Sequence, residues 1–303
     1  MSILRVFLFG SVRLRHEVES FDVKLTSGVQ SLLAYLLLQR NRVHSRETLA
    51  GIFWGDYEKE RARSCLNTAL WRLRGALEPK GIPQGTYLIT TPAGEIGFNP
   101  ESDYWLDIAA FEAKAVLSLT KPPQALGGAE AGELENVLKL YTCDLLEGFY
   151  SDWALRERER LRSLYLNSVA SLMYYYKHQG AYEASLNCGL EILRHDPLRE
   201  QIHREVMGLY LESGQRALAA RQYDMCCQIL AKELGIPPME ETRALYFQIK
   251  LETGLGLTSS SVEGELAGLQ QALQQLRLVM QGVDEMRGKV QQTIQFIERF
   301  VEH

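Results

Sequence analysis

The chain reads as mainly α with a small β component, laid out in three successive parts. Three observations predict this. The first hundred residues begin with short strand-like pieces, pass through three stretches of helical spacing and end in a hairpin pattern. Residues from Trp105 onward are helical and repeat with a period of 34. From Val262, apolar residues recur in heptads. These shifts in period place domain boundaries at 1–103, 104–256 and 257–303.

The opening segments Ile3 to Phe9 and Val12 to Leu14 are strand-like, and Phe21 to Leu25 alternates apolar with polar residues, as a strand with one buried face does. Leu32, Leu33, Leu36 and Leu37 then form the apolar face of a helix ending near Asn41. Ser45 is the N-cap of a short helix through Leu49, Ile52 and Phe53. Gly55-Asp56 turns the chain into a longer helix over 58–77, whose Leu66, Leu70, Leu73 and Leu77 fall on one face at spacings of 4, 3 and 4. Tyr87 to Thr91 and Glu95 to Phe98, joined by Pro92-Ala93-Gly94, form a β-hairpin. Strands, three helices and a terminal hairpin make a winged helix-turn-helix.

The outer face of helix 58–77 carries Arg63, Ser64, Asn67, Thr68, Trp71, Arg72 and Arg74, and no acidic residue lies between Arg61 and Gly75. Long cationic and amide donors of this kind reach phosphates and base edges in a major groove. Arg63, Asn67, Trp71 and Arg74 lie on one line, with Ser64, Thr68 and Arg72 adjoining. Arg72 and Arg74 differ by about 200° around the helix, which points them to different contacts, one to bases and the other to a phosphate or an acid. Trp71 has two readings, packing against the wing or contact with a thymine methyl or sugar. Thr90 and Thr91 fall at the wing, within reach of backbone, and Ser45 with Arg46 at a helix N-terminus suits phosphate positioning. The net charge of −5 argues mildly against nucleic acid, but its distribution reverses this: residues 1–100 hold 13 Lys and Arg against 9 Asp and Glu, a net of +4, leaving −9 for the rest. Screening over roughly 8–10 Å makes the local sign decisive.

In the middle part, Gly180 and Gly214 are 34 residues apart, and the same offset pairs Leu172 with Val206, Met173 with Met207, and Tyr176 with Tyr210. That is the tetratricopeptide length, so a TPR-like solenoid is expected. Phe111, Leu138, Tyr141, Leu161 and Leu164 then belong to flanking helices that cover its ends. Tyr174, Tyr175 and Tyr176 are read as core aromatics rather than a ligand cage. Glu157, Arg158, Glu159 and Arg160 are expected to form a salt network across helical turns.

Two sets of motifs resemble known families. Leu66 to Leu77, Leu-Asn-Thr-Ala-Leu-Trp-Arg-Leu-Arg-Gly-Ala-Leu, resembles the recognition helix of OmpR/PhoB-type winged helices, in which a small sheet precedes the helices. The resemblance implies DNA contact by Arg72 and Arg74, while Ala69 and Trp71 replace the His and Arg that are common polar readers at those positions, which implies a base preference different from that of relatives. Leu145-Leu146-Glu147-Gly148-Phe149-Tyr150, Asp152-Trp153, Glu157 to Leu161, Asp196 to Glu200, Ala219 to Tyr223 and Glu233 to Pro238 resemble the bacterial transcriptional activation domain. Together, over residues 3 to 250, the order resembles SARP-type transcription regulators. The resemblance implies a sequence-specific DNA-binding regulator, an activator, whose middle domain supports dimerisation or touches RNA polymerase.

The tail places Leu266, Leu269, Leu273, Leu276, Met280, Val283, Val290, Ile294, Ile297 and Val301 at alternating a and d positions over about five heptads, with Arg287 breaking one a position. Gly254 to Ser261 reads as a linker, so the expectation is a coiled coil that joins copies of the chain. The alternative is a long helix folded against its own solenoid. Five cysteines without a CxxC pair and six scattered histidines suit a reducing cytoplasm and give no zinc or catalytic pattern. Walker and dinucleotide loops are lacking, and no apolar run is long enough to span a membrane. No enzyme activity, cofactor, metal or membrane contact is therefore expected. The partners expected are double-stranded promoter DNA, RNA polymerase and a second copy. The rival is a TPR-type scaffold whose winged helix binds protein instead of DNA.

Overall fold

The structure is a computed structural model, and it describes residues 4–16 and 25–253. The expected strand over Phe21 to Leu25 lies outside the described residues except for Leu25, which is irregular. The heptad positions from Leu266 to Val301 lie outside them too.

β1 (Leu4–Phe7) and β2 (Arg13–His16) pair antiparallel, with Leu4 opposite His16 and Phe7 opposite Arg13. Alternation puts Leu4, Val6 and Leu14 in the core while Arg5, Arg13 and Arg15 face outward. α1 (Ser27–Leu38) buries all four of its predicted leucines. α2 (Arg46–Trp54) begins at Ser45, whose hydroxyl accepts the Thr48 N–H at 3.0 Å as the predicted N-cap. α3 (Lys59–Leu77) turns Leu66, Leu70, Leu73 and Leu77 inward. The wing is β3 (Leu88–Thr90) paired antiparallel with β4 (Ile96–Phe98). Its turn closes through the Gly94 N–H to the Thr91 carbonyl at 2.9 Å, with Gly94 at φ +83°, a conformation that favours glycine. Reciprocal 2.8 Å bonds between His44 and Ile96 tie β4 to the entry of α2.

Tyr104–Leu106, expected to open the helical part from Trp105, is instead strand β5. It pairs parallel with β1, completing the sheet order β2-β1-β5. Three residues are too short for a periodic signal, and their conformation is set by the exposed edge of β1.

The helical part comprises α4 (Asp107–Leu119), α5 (Gly128–Leu138), α6 (Asp152–His178), α7 (Tyr182–His195), α8 (Glu200–Glu212), α9 (Arg216–Glu233) and α10 (Glu240–Thr253). Neighbours from α6 to α10 pack in succession. The 34-residue repeat is visible in the turns: Gly180 and Gly214 both sit at φ +71°. Ala181 N–H bonds the Tyr176 carbonyl at 2.9 Å, and Gln215 N–H bonds the Tyr210 carbonyl at 2.7 Å, so one helix-ending pattern recurs after one repeat. Leu172, Met173, Val206 and Met207 are buried. Phe111, Leu138, Leu161 and Leu164 lie on flanking helices as expected, whereas Tyr141 follows α5 in an irregular stretch. Tyr174 and Tyr176 are half-buried, with hydroxyls on Glu205 and Glu135, so they brace helices. In the expected salt network, Arg160 does pair with Glu157 and Glu112. Arg158 instead donates to the carbonyls of Leu145, Leu146 and Phe149, because the irregular stretch before α6 leaves those acceptors unpaired within any helix.

The two parts share one continuous core. Beyond β1, Leu8 to Gly10 run against Asp144 to Glu147: Gly10 N–H bonds the Asp144 carbonyl at 2.9 Å and Leu146 N–H bonds the Leu8 carbonyl at 3.0 Å. The buried Asp107 carboxylate accepts the N–H groups of Leu8, Phe9 and Ile108 at 2.8–3.0 Å. Burial pushes this carboxyl above its usual range, and the three donors oppose that rise. Trp153 at the start of α6 packs edge-on against Tyr35 and Phe53, 5.4 and 6.2 Å between ring centres. The winged helix is thereby fastened to the helical part on two sides.

Candidate nucleic-acid interface

α3 presents Ser64, Asn67, Thr68, Trp71 and Arg72 to solvent, with Arg63 and Arg74 half-buried. Trp71 is 75% exposed, so its indole stands away from the wing instead of packing on it. Ala69, taken from the resemblance as a departure at a base-reading position, is only 5% exposed and belongs to the core. Its place on the helix turns it toward the leucine stripe, where no side chain reads a base.

The expected line of readers divides. Arg46, Asn67, Trp71, Arg72, Arg74 and Gln84 line one open cleft between α3, the entry of α2 and the loop before the wing. Arg63 lies outside it, bonding Glu47 at 3.2 Å and Glu60 at 3.4 Å. The Glu47 carboxyl is held below its usual range by its own backbone N–H at the start of α2 and by the Arg63 guanidinium. Arg72 and Arg74 both line the cleft despite their angular separation, because the long Arg74 side chain extends to the wing and donates from Nη2 to the Thr90 hydroxyl at 2.7 Å.

Other predicted residues have structural engagements of their own. The Ser45 hydroxyl caps α2, and the Thr68 hydroxyl donates to the Ser64 carbonyl at 3.0 Å. The Thr91 hydroxyl accepts the Glu95 N–H at 3.2 Å, shaping the wing turn. Arg46 does more than flank a helix end: Nε donates to the Gly94 carbonyl at 3.3 Å and Nη1 to Asn67 Oδ1 at 2.8 Å. Sequence reasoning missed Gln84, which sits in an aperiodic loop, and Gly94 as an acceptor, although the turn that contains it was legible.

The cleft thus gathers three guanidinium groups, two amides and an exposed indole at the junction of helix and wing, together with the Glu78 carboxylate, which accepts the Tyr87 and Leu88 N–H groups at 2.9 and 3.0 Å. Donors outnumber acceptors, which suits acceptor-rich partners. Among the described residues no group of three or more His, Cys, Asp or Glu is placed to hold a metal ion. No helix among them is long and apolar enough to cross a membrane.

Residues 20–95 match the domain described as transcriptional regulatory protein, C terminal, and residues 106–250 match the bacterial transcriptional activator domain. The chain carries these two domains in the order found in SARP-type transcriptional regulators. Its relatives are regulators, not enzymes. The transcriptional regulatory protein MoaR1 of Mycobacterium tuberculosis is 25% identical over 244 residues, covering 73% of this chain and 71% of MoaR1. The regulatory protein AfsR of Streptomyces coelicolor is 25% identical over 237 residues, which span 78% of this chain but only 23% of AfsR. The solved structure of Mycobacterium tuberculosis EmbR in complex with a low affinity phosphopeptide aligns with a TM-score of 0.69 at 20% identity, covering 91% of this chain and 72% of that one. The shared fold is a winged helix followed by a helical activator domain.

Proposed function

We propose that this chain is a SARP-type regulator that binds promoter DNA by laying α3 in the major groove with the wing on the flanking backbone, and activates transcription through contact of its helical domain with RNA polymerase in the cytoplasm. One observation carries the DNA reading: the cleft collects Arg46, Arg72 and Arg74 around the exposed Asn67 and Trp71 at the junction of recognition helix and wing. The polymerase contact rests on the likeness to that family. The heptads from Leu266 to Val301 join two copies, which raises the effective concentration of the second winged helix at paired half-sites.

Fluorescence anisotropy with duplexes from the region upstream of the protein's own gene tests the DNA reading. Three arginines that each neutralise one phosphate give a log–log salt slope of about −2.7, or roughly a 40-fold loss of affinity between about 50 and 200 mM salt. Arg74→Ala is expected to lower the slope by about 1. Absent or salt-insensitive binding points instead to a protein partner for this face, which the exposed Trp71 would also serve. For the tail, sedimentation of the full chain is expected to give a multiple of the monomer mass that falls to the monomer when residues 258–303 are deleted. A monomer in both cases overturns the coiled coil.

A further inference from the structure

Arg46 joins three elements through one side chain. It stands in the first turn of α2, donates from Nε to the Gly94 carbonyl in the wing turn at 3.3 Å, and donates from Nη1 to Asn67 Oδ1 on α3 at 2.8 Å. A guanidinium has only donors, so the Asn67 atom that faces it must be the carbonyl oxygen; chemistry settles the orientation of the amide. With Oδ1 turned to the guanidinium, the end of the amide directed away from Arg46 at this exposed position on the cleft is the Nδ2 donor.

We infer that Arg46 is a positioning residue for base readout: by holding Oδ1 of Asn67 it presents Nδ2 to a hydrogen-bond acceptor on a base edge and couples that orientation to the wing. This rests on the DNA-binding reading of α3. An unrestrained asparagine amide is free to turn either end to the groove, and its oxygen then accepts from the N4 amine of cytosine or the N6 amine of adenine. With the oxygen held, the base facing Asn67 is one that shows an acceptor, guanine through O6 or N7, thymine through O4 or adenine through N7, and cytosine, whose major-groove edge shows only the N4 donor, is disfavoured.

The test uses the full chain and a pool of duplexes with a randomised core, followed by affinities for every single-base-pair variant of the selected site. Asn67→Ala is expected to abolish preference at one base pair, where the wild type discriminates by about 10-fold or more. Arg46→Lys keeps the charge but lacks a fork that spans both acceptors, so it is expected to lose discrimination at that same base pair while keeping the wild-type salt slope. Arg46→Ala loses both the discrimination and about one unit of slope. The inference is overturned if Arg46→Lys discriminates like the wild type, if Arg46→Ala weakens all sequences uniformly as a mere phosphate contact would, or if Asn67→Ala changes no position. Should Arg46→Ala fail to fold, Arg46→Lys still decides. A wild type that binds no duplex of the pool in a salt-sensitive way removes the DNA reading itself, and the inference with it.

Discussion

Position 69 sits between Thr68 and Leu70 on α3, two residues before the exposed Trp71, and its meaning changed once the helix was seen in place. As a departure from a family pattern it suggested altered base preference. As a side chain 5% exposed beside the leucine stripe it is a packing residue. Ala69→His is therefore expected to cost roughly 1–3 kcal/mol through overpacking, measured by urea denaturation, without a new preferred base in the selected site. An equally stable variant with a shifted site would contradict this. Trp71 shows the opposite outcome: helical angle gave its direction, but only the path of the wing decides whether an indole there is covered.

At the scale of elements, α8 and α9 are bridged by His203, which is buried and bonded at both ring nitrogens. Gln222 Nε2 lies 2.7 Å from Nδ1 and the Pro197 carbonyl 3.0 Å from Nε2. The carbonyl needs a donor, so Nε2 carries the proton and Nδ1 accepts from the amide, which is the neutral ring. Burial accordingly holds the pKa below 6.5, against opposing contributions from the Pro197 contact, Glu200 and Gln222. A depressed native value means that stability from this group is complete above 6.5 and is lost as pH falls through the native pKa. Melting temperatures at about pH 7.5 and about pH 5 are expected to fall further for the wild type than for His203→Gln; equal losses would refute the assignment. The 34-residue spacing was legible because it is carried by local patterns, an apolar stripe and a glycine that ends each helix. The strand Tyr104–Leu106 was not, since its conformation comes from a partner about a hundred residues earlier in the chain.

For the whole molecule, the joint between winged helix and helical part sets where a folding unit ends. A fragment of residues 1–103 lacks β5 and Asp107, which leaves the edge of β1 open and the Leu8 and Phe9 N–H groups without their acceptor. It also uncovers Phe9, which packs on Phe111 and Tyr141 with centroids 5.5 and 4.9 Å away. Such a fragment is expected to give a collapsed or poorly dispersed NMR spectrum, whereas residues 1–253 give a dispersed one; a well-dispersed spectrum from 1–103 would place the boundary back before β5. What the sequence by itself determined was the kind and order of elements: the leucine stripes of α1 and α3, the Ser45 cap, the wing hairpin and the repeat, because periodicity and capping act over three or four neighbouring residues. Only the tertiary structure decided which residues share the cleft, that Arg63 leaves it for Glu47, that Arg46 joins Gly94 to Asn67, and that Asp107 locks the two parts together. Those partners stand 48 and 21 residues apart for Arg46 and 99 and 98 apart for Asp107 with Leu8 and Phe9. No local pattern encodes contacts at such separations; they exist because burying the apolar faces brings the elements into one core.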